Sequence, residues 1–190
     1  MCQAGEAFNA TSCNRKIIGA RWYTKDVVLA NLSSSEYMSP RDANGHGTHV
    51  ASTAAGVPVR NASGGGGLGA GVARGGAPRA RVAVYKVCWT NAQGVASCSK
   101  AGVLAAMDDA VGDGVDVLSL SLGGMFESPG SLHLVARGVT VVFSAGNSGP
   151  VPGTVEHASP WVISVAAGTV DRSFPTEISL GNGEKLVVRT

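Results

Sequence analysis

The 190-residue sequence has little charge and few aromatic side chains, since 15% of its residues are charged and 5% are aromatic. It lacks any run of about 18 apolar residues, so no segment is expected to span a membrane. The net charge is only +2 and the basic residues are scattered, which argues against a nucleic-acid-binding surface. Lysine, glutamate and leucine are sparse, which excludes a coiled coil. With 27 glycines and 44% hydrophobic residues, the sequence is typical of a glycine-rich globular protein.

The four cysteines lack the C-x-x-C spacing of zinc and thiol-redox sites. Cys2 and Cys13 lie eleven residues apart, and Cys88 and Cys98 lie ten apart. Two local disulfides would suit an oxidising compartment. Four buried thiols in a reducing compartment fit the same spacing, so the cysteines alone leave both alternatives open.

Three Asn-x-Ser/Thr sequences match the acceptor pattern for N-glycosylation, and they begin at Asn9, Asn31 and Asn61. Together with the paired cysteines, they favour a secreted glycoprotein. Residues 1–20 contain no apolar segment of the kind that a signal peptide needs. If the protein is secreted, we expect its targeting segment to lie outside this chain.

Apolar strand patterns alternate with helical patterns along the chain. Strands are predicted at 16–21, 80–87, 115–122, 139–145 and 161–167, and helices at 45–56, 99–111 and 131–137. The helix at 45–56 has small side chains and is expected to be buried, whereas 31–42 and 61–76 are predicted to be loops. A hairpin is predicted at 177–188, where Asn182-Gly183 marks the turn. The alternation predicts an α/β fold with a mostly parallel sheet and helices on both faces.

Gly64, Gly66 and Gly69 of the glycine-rich segment satisfy G-x-G-x-x-G, a pattern found in nucleotide-binding sites. The phosphate-binding form of this motif follows a strand and opens a helix. Neither pattern flanks these glycines, so the segment is interpreted as a surface loop. A G-x-S-x-G sequence is absent as well, which argues against an α/β-hydrolase.

His46 and His49 would share one face of a helix, but the sequence offers no third ligand and no H-E-x-x-H arrangement. No metal site is therefore expected. Gly45 and Gly47 leave His46 open to approach by a substrate, as a general base requires. From spacing alone, a histidine satisfied within the core fits equally well.

Two further candidate segments follow predicted strands, where ligand sites gather in open parallel sheets. Asn147 lies in a turn bounded by glycines, so its amide either points into a cleft or caps its own backbone. Ser121, Leu122 and Gly123 end another strand next to Gly124. Their backbone is available for pairing with an extended peptide.

These segments together resemble the subtilisin-like serine proteases. Residues 41–52 (RDANGHGTHVAS) resemble the catalytic-histidine block, 144–150 (SAGNSGP) the oxyanion-asparagine block, and 119–124 (SLSLGG) the substrate-binding strand. Residues 13–21, 77–89, 113–117 and 171–175 are similar to the plant, cucumisin-like branch. The resemblance covers nearly the whole chain and departs from it at 64–67 and 186–190.

The resemblance implies a three-layer subtilisin-like fold, incomplete at both ends, and a Ser-His-Asp mechanism without a cofactor or metal. It assigns His46 as the general base and acid and Asn147 as the oxyanion donor. It also implies that Ser121, Leu122 and Gly123 bind an extended polypeptide substrate. The disulfide pairs implied by the same resemblance are Cys2 with Cys13 and Cys88 with Cys98.

The family's catalytic aspartate and serine have no counterpart in this sequence. The resemblance places the aspartate before Cys2 and the serine in a downstream G-T-S-M motif, and no such string occurs here. We expect residues 1–176 to be a partial peptidase domain, and 177–190 to be a hairpin-like tail near the start of a protease-associated insertion. The chain is expected to be inactive without the missing parts of its catalytic domain. The alternative is a non-catalytic peptide-binding module from a truncated or degenerate gene copy.

Overall fold

The computed structural model describes residues 1–123 and 130–188. The chain divides into two compact units, one comprising Met1–Pro58 with Arg74–Ala166 and the other Val59–Ala73 with Ala167–Thr190. The helices and strands are, in chain order, β1 (Ile17–Trp22), α1 (His46–Ala55), β2 (Val59–Ala62), β3 (Gly71–Ala73), β4 (Val82–Lys86), β5 (Cys88–Thr90), β6 (Ala96–Cys98), α2 (Lys100–Asp113), β7 (Val117–Leu120), α3 (Gly130–Ala136), β8 (Thr140–Ser144), β9 (Ile163–Val165), β10 (Thr176–Ser179) and β11 (Lys185–Val188).

The larger unit has the predicted α/β character, with parallel strands connected through helices. Strand β1 pairs in parallel with β4, and β7, β8 and β9 form a second parallel sheet. In that sheet Leu120 lies opposite Phe143, and Ser144 lies opposite Val165. Because β4 and β7 are not hydrogen-bonded neighbours, the described residues form two parallel sheets instead of one.

The hydrophobic core lies where α2 and α3 pack against the sheet of β7 and β8. Its buried residues are Met107, Leu120, Leu134, Val139, Val141 and Phe143. Helix α2 begins at the side chain of Ser99, which accepts a hydrogen bond from the backbone N–H of Gly102, and it ends at Gly114. The carboxyl ends of β7 and β8 therefore pack against this core through Leu120 and Phe143.

Two hairpins were not predicted from the sequence. Strands β2 and β3 pair within the glycine-rich segment that was predicted to be a loop. Strands β5 and β6 place Cys88 directly opposite Cys98, and these two residues form a disulfide. The second predicted disulfide, Cys2 with Cys13, is present too. Strands β10 and β11 form the predicted antiparallel pair in the smaller unit.

The expectation that the first helix is buried is wrong. Of its ten residues only Ala55 is buried, and His46 is exposed. Small side chains permit close packing, but they do not require it. Among the described residues, no helix has the length and apolar character needed to cross a membrane.

A buried ion pair joins β4 to the segment that leads into α1. The Nζ of Lys86 lies 2.6 Å from Oε1 of Glu36, and the exposed fractions of the two side chains are 10% and 4%. Lys86 also donates to the carbonyl oxygens of Tyr37 at 3.2 Å and Arg41 at 2.8 Å. Its ammonium lies 4.3 Å from the ring centre of Trp89. One cation therefore holds this segment at several points.

We expect Lys86→Met to lower the free energy of unfolding by about 3–5 kcal/mol, because Glu36 would be buried without its cation. Burial raises the pKa of Glu36, but the hydrogen bonds from Lys86 and Thr90 lower it by more than burial raises it. The net pKa therefore lies below its ordinary value. The stabilising contribution is thus complete above the ordinary glutamate pKa and is lost as pH falls through the lowered one. Urea unfolding should show that the difference between variant and parent persists from neutral pH to about pH 4.3 and shrinks as the pH falls further.

Lys185→Met is the matched control, since the Lys185 and Glu177 side chains form an ion pair but are 63% and 52% exposed. This change should cost no more than about 1 kcal/mol. Equal losses for the two lysine variants would contradict a dominant role for the buried pair.

Candidate active site

His46 is the first residue of α1 and is exposed to solvent. The helix begins here because Gly45 adopts a left-handed φ of +94°, a conformation that residues other than glycine rarely adopt. The backbone N–H of His46 donates to Oδ1 of Asn44 at 3.3 Å. The turn therefore presents the imidazole at the amino end of the helix.

The carboxylate of Asp42 organises this turn. Its Oδ1 accepts hydrogen bonds from the backbone N–H groups of Asn44 at 3.0 Å and Gly45 at 2.8 Å. Its Oδ2 accepts from the backbone N–H of Thr48 at 2.8 Å and from the Thr48 hydroxyl at 2.7 Å. These bonds satisfy N–H groups that a helix start leaves without partners, and the negative charge suits the amino end of the helix.

At the carboxyl end of α1, the ammonium group of Lys16 contacts the last residue of the helix. The Nζ of Lys16 donates to the carbonyl oxygen of Ala55 at 2.8 Å and to that of Pro78 at 2.9 Å. It also donates to the carbonyl oxygen of Ala80. A positive charge is favourable beside the free carbonyls of a helix carboxyl end. Charged side chains therefore anchor α1 at both ends.

The other predicted site residues lie at the carboxyl ends of β7 and β8. Ser121 and Leu122 follow β7 and are half-buried, whereas Gly123 is exposed. Asn147 is exposed and lies three residues beyond the end of β8. The hydroxyl of Ser144 donates to the carbonyl oxygen of Leu122 at 3.2 Å. The structure thus brings the predicted peptide-binding strand beside the turn that carries Asn147.

Buried His157 supports this turn from the core side. Its ring stacks on Phe143 at 4.4 Å between centres, and its Nδ1 donates to the carbonyl oxygen of Ser144 at 2.8 Å. Sequence reasoning did not single out this residue, because its sequence neighbourhood carries no motif. It therefore fixes the carbonyl oxygen of Ser144, at the end of the strand that leads into the Asn147 turn.

Glu156 was also missed by the sequence reasoning. Its carboxyl group lies against Gly146, where a Cβ atom would be 2.7 Å from the carboxyl carbon. On the other side, a Cβ on Gly123 would be 3.3 Å from Oε2 of Glu156. Only the folded arrangement of β7 and β8 brings these residues together, so the sequence gives no sign of the contact.

Asp42 could have been found from the sequence, since an aspartate shortly before a glycine and a helix is a typical turn and capping pattern. No hydrogen bond joins His46 to the Asn147 turn within residues 1–123 and 130–188. The described residues also include no group of three or more His, Cys, Asp or Glu side chains that could hold a metal ion. Gly124, at the end of the predicted substrate-binding strand, lies outside the described residues.

We expect Asp42→Asn to lower the free energy of unfolding by about 1–2 kcal/mol, since an amide nitrogen accepts no hydrogen bond. Burial raises the pKa of Asp42, but hydrogen bonds from Gly45 and Thr48 outweigh it and lower the net pKa. The contribution is therefore complete above the ordinary aspartate pKa and is lost as pH falls through the lowered one. Urea unfolding and amide hydrogen exchange at Thr48 measure the effect.

Asp108→Asn is the control, because Asp108 is exposed on α2. We expect its effect to stay within about 0.5 kcal/mol and to leave hydrogen exchange in α1 unchanged. Unaltered exchange at Thr48 in the Asp42 variant would refute the anchoring role of that carboxylate.

The amino-acid sequence is similar to those of known proteases along nearly its whole length. Residues 17–182 match the Subtilase family of peptidase S8. The chain is 47% identical to "Subtilisin-like protease SBT3.7" of Arabidopsis thaliana, over 98% of this chain and 26% of that protein. It is 52% identical to "Subtilisin-like protease SBT3.18" of the same plant, over 93% and 24%. The chain thus spans about a quarter of the length of these relatives. It belongs to the subtilase family of plant subtilisin-like serine proteases.

Proposed function

We propose that this chain supplies the general base and the oxyanion donor of a serine endopeptidase. The observation that carries the proposal is the shared corner at the ends of β7 and β8, where Ser144 is hydrogen-bonded to Leu122 beside the turn of Asn147. A peptide laid along Ser121–Gly123 would have a backbone carbonyl near this turn. The exposed His46, at the open end of α1, supplies a proton acceptor.

In this proposal His46 takes the proton of a serine hydroxyl and later gives it to the leaving amine. The side-chain amide of Asn147 donates to the oxygen that becomes negative as the serine attacks the carbonyl. A donor placed at this oxygen acts on the transition state more than on the bound substrate. The substrate is an extended polypeptide, because pairing with the Ser121–Gly123 backbone requires an extended strand.

We propose that residues 1–176 form a partial peptidase domain and that 177–190 form a hairpin-like tail near the expected start of a protease-associated insertion. Because we assign no residue of these 190 as the catalytic aspartate or the nucleophilic serine, the chain alone is proposed to bind peptides without cleaving them. This behaviour also suits the alternative, a non-catalytic peptide-binding module. The two differ in whether the chain acts with the missing catalytic residues.

The isolated chain should show no turnover of a fluorogenic peptide, whereas titration calorimetry should detect peptide binding. In a polypeptide that joins residues 1–190 to the family's aspartate and serine segments, peptide cleavage should appear. There Asn147→Ala should lower kcat by about 10²–10³-fold, and His46→Ala by at least about 10⁴-fold. The matched control, His133→Ala, changes an exposed histidine on α3 and should leave kcat unchanged.

Turnover by the isolated chain that a serine-directed inhibitor blocks would overturn the proposed division of roles. Peptide binding without cleavage in the joined polypeptide would favour the non-catalytic module instead.

We also propose that the protein is secreted and glycosylated. The acceptor residues Asn9, Asn31 and Asn61 are all exposed, as attachment of a glycan requires. All four cysteines are in disulfides, which persist in oxidising compartments. Treatment of the protein from plant extracellular fluid with an N-glycosidase should therefore reduce its mass. Replacing all three asparagines by glutamine should abolish that change, and a mass unaffected by the enzyme in the unsubstituted protein would contradict glycosylation.

A further inference from the structure

Positive and negative charges are unevenly distributed along the chain. No aspartate or glutamate occurs between residues 43 and 107, a stretch that contains six lysines and arginines. Three of these, Arg74, Arg79 and Arg81, are exposed, and so is Arg15. All four arginines belong to the larger unit. The small net charge of the whole chain therefore does not describe this part of it, which is strongly basic.

Backbone contacts place Arg74 at the carboxyl end of α1. The N–H of the next residue, Gly75, donates to the carbonyl oxygen of Gly56 at 2.9 Å, and Gly56 is the residue that caps the helix. A Cβ on Gly75 would lie 2.4 Å from the backbone nitrogen of Gly56. The two segments are therefore in close contact, and Arg74 lies beside the end of α1.

Lys16 brings the other three arginines to the same end of the helix. Its ammonium donates to the carbonyl oxygens of the residues on both sides of Arg79 and to that of Ala55, the last residue of α1. Arg15 directly precedes Lys16 in the chain. The N–H of the residue after Arg81 donates to the carbonyl oxygen of Lys16 at 2.8 Å. Arginines that are distant in the sequence are thus neighbours in the fold.

These four residues, Arg15, Arg74, Arg79 and Arg81, form an arginine cluster whose charges the chain does not neutralise. None of their side chains forms an ion pair or a hydrogen bond within residues 1–123 and 130–188. The carboxylates that bind α1 and β1 lie at the other ends of these elements, Asp42 at the amino end of α1 and Asp113 beside Arg21 in β1. A bound polyanion would relieve the repulsion among the clustered cations.

We propose that the arginine cluster binds an acidic polysaccharide whose sugars carry carboxylate groups. A guanidinium binds a carboxylate through two parallel N–H···O bonds. A chain of uronic acids offers one carboxylate on each sugar, so a single chain engages several arginines. The choice of a polysaccharide rests on the proposed secretion, because a secreted plant protein meets such polymers in the cell wall. Binding there retains the protein in the wall.

The arginine cluster lies at the opposite end of α1 from His46. The helix has ten residues, so its two ends are about 15 Å apart. A polysaccharide bound at the carboxyl end therefore leaves the imidazole open to solvent. Retention in the wall is compatible with the proposed peptidase role.

The test measures binding of residues 1–190 to immobilised polygalacturonate by biolayer interferometry at neutral pH. Polygalacturonate should bind, whereas its fully methyl-esterified form, which has the same sugars without charge, should not. Binding should weaken as salt is added, since salt screens exposed charges. Combining Arg79→Gln with Arg81→Gln should raise the Kd for polygalacturonate by about three- to tenfold, because two exposed ion pairs are lost.

The matched control combines Arg137→Gln with Arg172→Gln, which changes two exposed arginines outside the cluster. It removes the same charge and should leave the Kd unchanged. Thermal unfolding of each variant shows whether it keeps the parent fold. Equal weakening by the two double variants would overturn the assignment to the arginine cluster.

Duplex DNA serves as a second immobilised polyanion. A parent chain that binds DNA but not polygalacturonate would overturn the proposal and assign the surface to nucleic acid. A cooperatively folded parent that binds neither would reject the arginine cluster as a binding surface. Both results leave the proposed peptidase role standing, and the glycosidase measurement tests secretion and glycosylation separately.

Discussion

The carboxylate of Asp42 determines where the helix that carries His46 begins. It accepts bonds from the first turn of α1, including two from Thr48, while Lys16 occupies the carboxyl end. Because only Ala55 of this helix is buried, packing alone does not fix its position. Charges at both ends, each with the sign that the helix dipole favours, fix it instead. This arrangement leaves the imidazole open to solvent while its backbone is constrained.

The second half of the candidate site is fixed in a different way. The ends of β7 and β8 rest on a hydrophobic core that includes Met107 and Leu134, and His157 links that core to the carbonyl oxygen of Ser144. The segments after these strands are loops, yet they follow the buried strand residues Leu120 and Phe143. The candidate site therefore combines an exposed helix, held by charged side chains at both ends, with strand ends that pack against the hydrophobic core.

Patterns within a short stretch of sequence predicted well, and contacts between distant stretches did not. The apolar runs of β7 and β8 and the capped helix α2 carry their own signals, and the structure has them. The hairpin at β5 and β6 lacks such a signal, because its strands are three residues each and are joined by the Cys88–Cys98 disulfide. The contact of Glu156 with two glycines depends on strand packing, which no local pattern encodes.

The positive φ at Gly146 and its contact with Glu156 also constrain how this corner can change during evolution. A side chain at 146 is opposed by both backbone conformation and space, so mutations there distort the turn that bears Asn147. Position 156 has no such backbone restriction, since Glu156 is not among the residues with a positive φ. Substitutions at position 146 are therefore expected to disturb this corner more than substitutions at position 156.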